Sequence, residues 1–254
     1  MSKDSYHLIH EGLERPVLVK KLLRAKRMTL RVSPTKRDII LSIPRKMGER
    51  QASAFIERHI DWLKRQLDDL PLAVPFEHGC LIPLEGELHQ LSFCGPRTRQ
   101  QKGFRVVSRQ MFCAESPATK EQAVAQLQVL GAVEHAPRRL TDWLKKRARQ
   151  KITARVDYHA RRLELDYKRL GVRDQTSRWG SCSSNKTLSF SWRLILAPSE
   201  VLDYVAAHEV AHLREMNHSP RFWALVAQTF PDYERARGWL REKGQTLHCY
   251  GASS

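Results

Sequence analysis

The apolar positions change period along the chain, and each change predicts an element. Val17 and Val19, running on to Leu22, suit a first strand. Met28, Leu30 and Val32 alternate with Thr29, Arg31 and Ser33, which predicts a half-buried strand. Pro34-Thr35-Lys36-Arg37 turns the chain, and Ile39, Leu41 and Ile43 continue as the partner strand, closed by Pro44. From about Gly48 to Leu67 the period becomes helical: Ala52, Phe55, Ile56, His59, Leu63 and Leu67 form one stripe with charges opposite. Residues 76–114 hold short strand-like pieces at Cys80–Leu84, Leu88–Phe93 and Phe104–Val107, separated by turns at Gly86, Gly95-Pro96 and Gly103. The expectation is a β-rich N-terminal region with one helix over residues 1–115 and a second domain over 116–254, divided at Ser116-Pro117-Ala118-Thr119.

The second half reads mainly as helix. Segments 119–131 and 138–168 are predicted helical, interrupted near Gly131 and Pro137. Leu170–Val172 is a strand, Arg178–Cys182 a loop, and Leu188–Trp192 a strand of period two with Leu188, Phe190 and Trp192 on one face. Ser199–Arg214 carries two adjacent stripes, Val201/Val205/His208/His212 and Leu202/Ala206/Glu209/Leu213, so it predicts a helix buried on a broad face. A helix through Phe222–Val226 is broken at Pro231, Tyr233–Lys243 forms the last helix, and the tail from Gly244 is polar. No internal repeat is visible. The fold class expected is α+β, helices packed on a small sheet.

The chemistry concentrates in His208-Glu209-Val210-Ala211-His212. Residues four apart on a helix lie nearly above one another, so both imidazoles point at one spot, as two corners of a tetrahedral zinc site require. Glu209 lies about 100° round the helix, within reach of a metal-bound water as general base. Chance supplies about 0.03 such matches in a chain of this composition. A buried pair of His and a buried Glu need partners, and a metal satisfies all three. For a third ligand, Asn217 reads as a left-handed helix stop and Ser219-Pro220 as the cap and first residue of a new helix. His218 then sits at a reversal that can swing it back. Glu215 is the rival ligand, but a straight helix carries it roughly 4.5 Å beyond His212; it fits better as an outer acceptor or a surface carboxylate.

Composition adds a charge. The 254 residues carry 44 Lys+Arg against 27 Asp+Glu, a net +17, which favours polyanionic partners such as nucleic acid. The run from Arg138 to Arg169 is strongly basic; it is either a solvated face or a groove edge for a polyanion. No apolar run is long enough to span a membrane, and the N-terminus lacks a signal-peptide core, so a cytoplasmic protein with no membrane partner is expected. Five Cys without a C-x-x-C pair argue against a disulfide framework or zinc ribbon.

Several separate blocks then agree in order: Arg178-Trp179-Gly180-Ser181-Cys182-Ser183, Leu188–Leu194, the His-Glu-x-x-His helix, and Asn217-His218-Ser219 followed by Phe222-Trp223. Together they resemble the YgjP-like metallopeptidase family, itself similar to SprT-like and WLM zinc peptidases. The resemblance implies a zincin-like catalytic domain, Zn2+ on His208, His212 and His218, Glu209 as base, a protein or peptide substrate, and the Leu188–Trp192 strand bordering the cleft to pair with an extended peptide. Arg178, by its place in the first block, is the candidate oxyanion donor. Glu215 stands where metzincins have Gly, and no Met-turn follows, which sets that branch aside. The alternatives are a nucleotide (pyro)phosphohydrolase on the same metal site and a nucleic-acid-associated module with structural zinc.

Overall fold

The computed structural model describes residues 4–95, 103–107 and 124–252. These form two compact units, one of residues up to Val74 with Ala252, the other Pro75–Gly251. The boundary expected at 115/116 lies outside the described residues.

The first unit is a sheet of β1 (Ser5–Leu8), β2 (Val17–Leu22), β3 (Thr29–Val32) and β4 (Ile39–Pro44) in the order β1-β2-β4-β3, followed by α1 (Glu49–Arg58) and α2 (Ile60–Asp68). The expected hairpin is the antiparallel β3–β4 pair, and β2 adds to it in parallel. The single expected helix is two. His59 breaks it with φ −116°, its Nδ1 donating to the Phe55 carbonyl at 2.8 Å and its ring stacked on Phe55. No Pro or Gly marks this break. Ala52, Ile56 and Leu63 still meet one core with Val17, Val19, Ile39, Leu41 and Ile43.

The second unit opens with β5 (Leu81–Leu84), β6 (Glu87–Cys94), β7 (Gly103–Val107) and β8 (Ala125–Leu130), in the order β5-β6-β8-β7. Here the helix expected over 119–131 is corrected: Ala125–Leu130 is a strand, parallel to β6 and antiparallel to β7. Leu127 and Val129 alternate inward, and pairing on both sides overrides the helix-favouring Ala and Gln. Residues 119–123 lie outside the described residues. α3 (Ala136–Leu163) buries Leu140, Leu144, Ala148, Ile152, Val156, His159 and Leu163 and stops at left-handed Glu164. A second sheet follows, with β9 (Arg169–Arg173), β10 (Gly180–Cys182) and β11 (Thr187–Ser191) in the order β10-β11-β9. A 3-10 turn at Trp192–Leu196 leads into α4 (Ser199–Ala211), α5 (Pro220–Thr229), α6 (Tyr233–Lys243) and a last 3-10 turn at Gly244–His248. The tail is thus not a loose polar end: Leu247, His248 and Cys249 are buried. The α+β expectation holds, and among the described residues no helix is long and apolar enough to cross a membrane.

The β5–β6 turn braces the start of α4. Glu85 and Gly86 both adopt positive φ, and a Cβ at Gly86 would lie 2.8 Å from the Pro198 Cα, so only glycine fits. The Glu85 N–H donates to the Ile195 carbonyl at 2.7 Å, and its carboxylate meets Arg147 and Lys151 of α3.

Candidate active site

α4 is buried almost all round. Val201, Leu202, Val205, Ala206, Val210 and Ala211 belong to the core. Beside them a polar staple fixes the helix. Asp203 accepts from His159 Nε2 at 2.7 Å and from Arg155 Nε at 2.5 Å, both on α3, and His159 Nδ1 meets the Thr229 hydroxyl of α5 at 2.7 Å. Burial alone would raise the Asp203 carboxyl, but these hydrogen bonds outweigh it and hold it below its ordinary value.

This frame brings three imidazoles together. His208 Nε2 lies 3.2 Å from His212 Nε2 and 3.1 Å from His218 Nε2. Tetrahedral zinc with Zn–N of about 2.0–2.1 Å would hold ligand nitrogens about 3.3 Å apart. The His212 tautomer is set, because its Nδ1 donates to the Glu215 backbone carbonyl at 2.9 Å and leaves an Nε2 lone pair aimed at the cluster. One proton on His208 Nε2 cannot serve both neighbours, whereas one cation serves all three. The donor set therefore fits a metal ion. Burial, and then the neighbouring histidines, push the His208 imidazole down to about 3, and burial also lowers His212. Phe222, fully buried, packs its ring 4.8, 4.4 and 4.7 Å from the His208, His212 and His218 rings, which holds all three in place.

The reversal that delivers His218 is built differently from the expected left-handed stop. α4 ends at Ala211, and Leu213 and Arg214 close onto Val210 and Ala211 in a tighter turn. Asn217 is not among the left-handed residues; its carbonyl instead accepts the Ser219 N–H at 2.8 Å. Ser219 then caps α5, its Oγ accepting from the Phe222 N–H, with Pro220 as the first helical residue. Glu215 enters through its backbone carbonyl rather than its carboxylate.

Glu209 is 5% exposed, and its Oε2 has no hydrogen-bond partner among the described residues. Burial pushes its carboxyl up to about 8, against the pull of the Arg178 charge. Gly180 makes the room: a Cβ there would lie 2.5 Å from Glu209 Oε1. Arg178 is exposed, two residues before Gly180, on the loop entering β10. The strand expected to border the cleft, Leu188–Trp192, is corrected. β11 spans Thr187–Ser191 and lies between β10 and β9 with both edges paired. The edge beside Glu209 belongs to β10. Trp179, Ser181 and Ser183 turn their backbone toward β11, so the N–H and C=O groups of Gly180 and Cys182 face the free edge. The Cys182 thiol is pushed up to about 11 by burial and the Glu209 charge, which leaves it inert at neutral pH.

Pattern reading missed three supports. Trp179 stacks on buried His248 at 4.8 Å, which ties the loop of Arg178 and Gly180 to the final turn. Buried Arg193 joins the same parts, its Nε donating to Asp174 at 2.8 Å and its Nη1 to the carbonyls of Leu247 and Tyr250 at 3.2 and 2.6 Å. Arg237 of α6 lies over the Trp223 ring at 4.5 Å. The spacing of Trp223, Tyr233 and Arg237 was the available signal for the last of these. The basic run of α3 also changes meaning. Arg139, Arg147, Arg149, Lys151 and Arg155 bond within the unit, so a polyanion surface there would rest on Arg138, Lys145 and Lys146.

No curated protein matches the chain. A crystal structure of the metallopeptidase zymogen abylysin from Pyrococcus abyssi matches 37% of this chain and 93% of its own, at 22% identity and TM-score 0.33. The YgjP-like, metallopeptidase domain model matches residues 26–243, across both units, and the chain belongs to that metallopeptidase family.

Proposed function

We propose that this chain is a zinc-dependent peptidase with a zincin-like catalytic unit, in which His208, His212 and His218 hold the metal and Glu209 is the general base. The observation that carries this reading is the meeting of three Nε2 atoms next to a buried carboxylate whose Oε2 has no partner. When bound, zinc would supply a Lewis acid that lowers the pKa of a water toward about 7 and polarises a carbonyl. Glu209 takes the proton of the attacking water at its free oxygen, then passes it to the leaving amine. Arg178 donates to the developing oxyanion. The free edge of β10 aligns an extended peptide through Gly180 and Cys182, so protein or peptide is the substrate class.

The nucleotide-hydrolase reading is weaker because the donor group is three imidazoles, whereas phosphoryl-transfer sites favour carboxylate-rich magnesium sets. Three ligands also leave a position open for water, unlike a closed structural zinc site. The test is metal analysis of the wild type beside His218→Ala, paired with cleavage of an unfolded protein. We expect about one zinc per chain in the wild type, loss of it in the variant, and zinc-dependent cleavage. Full zinc retention by His218→Ala removes it from the ligand set. Phosphate release from nucleotides without protein cleavage favours the rival.

A further inference from the structure

α6 passes beside the histidine cluster and carries a cation that makes no hydrogen bond or ion pair among the described residues. Tyr233 and Arg237, four residues apart, share a helix face and both meet Trp223. The Tyr233 and Trp223 rings stack at 5.1 Å with planes 18° apart, and the Arg237 guanidinium sits 4.5 Å from the Trp223 centroid. Trp223 follows Phe222, and its ring lies 5.9 Å from His208 and 5.8 Å from His218. Among the described residues no carboxylate pairs with Arg237; Glu234, three residues earlier, makes no ion pair with it. A guanidinium resting on an aromatic face has already lost side-chain freedom, and its planar fork matches a carboxylate in bidentate fashion.

We infer that Trp223, Tyr233 and Arg237 form a substrate subsite that recognises a peptide carboxylate, with Arg237 as the specificity-determining residue. The inference rests on the peptidase reading and names its substrate class: peptides with a carboxylate near the scissile bond. That carboxylate comes either from a Glu or Asp side chain or from the C-terminus of a short peptide. Trp223 and Tyr233 hold the guanidinium in place, and the ring edge of Trp223 lines the approach to the histidines.

The experiment uses the zinc-loaded full chain and peptides of one sequence. Each carries Glu, Gln or Lys at a single position, moved residue by residue, and each is made as the free acid and as the C-terminal amide. The readout is the ratio of kcat/KM for the acidic peptide to that for its neutral isostere within one protein preparation, so loss of folded enzyme cancels. We expect a ratio of about tenfold or more in the wild type, as for a charge-assisted pair. In Arg237→Gln the ratio should fall to near one, and in Arg237→Lys to an intermediate value, because the charge stays and the fork is lost. A ratio that follows the Glu position assigns a side-chain carboxylate; one that follows acid over amide assigns the chain terminus. Cleavage of acidic and neutral peptides at equal rates, or an unchanged ratio in Arg237→Gln, overturns the subsite alone. Zinc-loaded protein that cleaves no peptide overturns the peptidase reading and the subsite with it.

Discussion

The molecule contains two four-stranded sheets of one design. β1-β2-β4-β3 and β5-β6-β8-β7 share the same order and senses, an outer antiparallel pair on each side of a parallel pair, although their sequences show no repeat. Their surroundings differ. The first unit's core is Leu8, Val17, Val19, Ile39, Leu41, Ile43, Ala52, Ile56 and Leu63; among its described residues no polar residue is buried as a whole, and only single atoms such as the Tyr6 hydroxyl and Arg37 Nε are covered. Every buried polar or charged residue described lies in the second unit: His89, His159, Ser191, Arg193, Glu209, His212, Thr229 and His248. Burying such groups is unfavourable unless they are paired. Sheet topology therefore does not decide where a site forms. The second unit tolerates buried polarity because most of it is hydrogen-bonded, the His159–Asp203 group fixing α4; of the exceptions among the described residues, which include His248 Nδ1 and Trp192 Nε1, Glu209 is the one the proposed chemistry uses.

The largest effect should come from that exception. Glu209→Gln keeps shape and removes the base, and it should lower kcat/KM by about 10²–10⁴ while zinc content stays at the wild-type level. Because the substitution also deletes a buried carboxylate that has an orphan oxygen, the metal-free variant should be at least as stable as the wild type in urea. A marked loss of stability would mean that Glu209 has a structural partner, and the contrast between the units would weaken.

What the sequence made legible follows from how local each signal is. The His208/His212 pair and the Ser219-Pro220 start of α5 are set by helix geometry and capping chemistry, and both stand where the pattern put them. Tyr233–Lys243 is likewise one uninterrupted amphipathic helix. Ala125–Leu130 was hidden because its residues favour helix and only pairing with distant β6 makes it a strand. The role of Gly180 was hidden because it depends on Glu209, 29 positions away. The buried end of the chain was hidden because Gly244–His248 has no apolar period, and its burial comes from Trp179 and Arg193.

Next in size is Phe222→Ala. Its ring supports three imidazoles from a fully buried position, so truncation should cost about 3–5 kcal/mol. Ile56→Ala in the first unit should cost a comparable roughly 2–5 kcal/mol. The comparison sharpens if Phe222→Ala also weakens zinc binding in a competitive chelator titration, beyond the stability it shares with an ordinary core deletion. Equal affinity in variant and wild type would reduce Phe222 to filling.

Asp203→Asn tests the staple. Losing charge-assisted bonds from His159 and Arg155 should cost about 1.5–3 kcal/mol at pH 7. The sign of the pH dependence follows from the direction of the shift. The folded carboxyl lies below its ordinary 3.8, so the folded state binds the proton less tightly than the unfolded one. The stabilisation is complete above about pH 5 and disappears as pH falls through the lowered folded value. Urea unfolding of metal-free protein should therefore show a wild-type advantage at pH 7 that shrinks toward pH 3. A gap of constant size across that range would detach Asp203 from the titration.

The smallest effect concerns His248, whose buried Nδ1 has no partner among the described residues. Burial, aided by the Arg193 charge, pushes this imidazole down to about 4, so it is neutral at pH 7 and acts there as a flat ring. Its contact with Trp179 is a stack at 4.8 Å with planes 20° apart, which an apolar ring can reproduce. His248→Phe should accordingly change stability by no more than about 1.5 kcal/mol and leave the Trp179 fluorescence environment shielded. His248→Ala removes the ring and should release the loop that carries Arg178 and Gly180, lowering kcat more than it raises KM. If His248→Phe loses as much activity as His248→Ala, the ring nitrogen has a partner in solution that the stack does not explain. His248 would then join the polar residues that serve the site, rather than those that merely pack beside it.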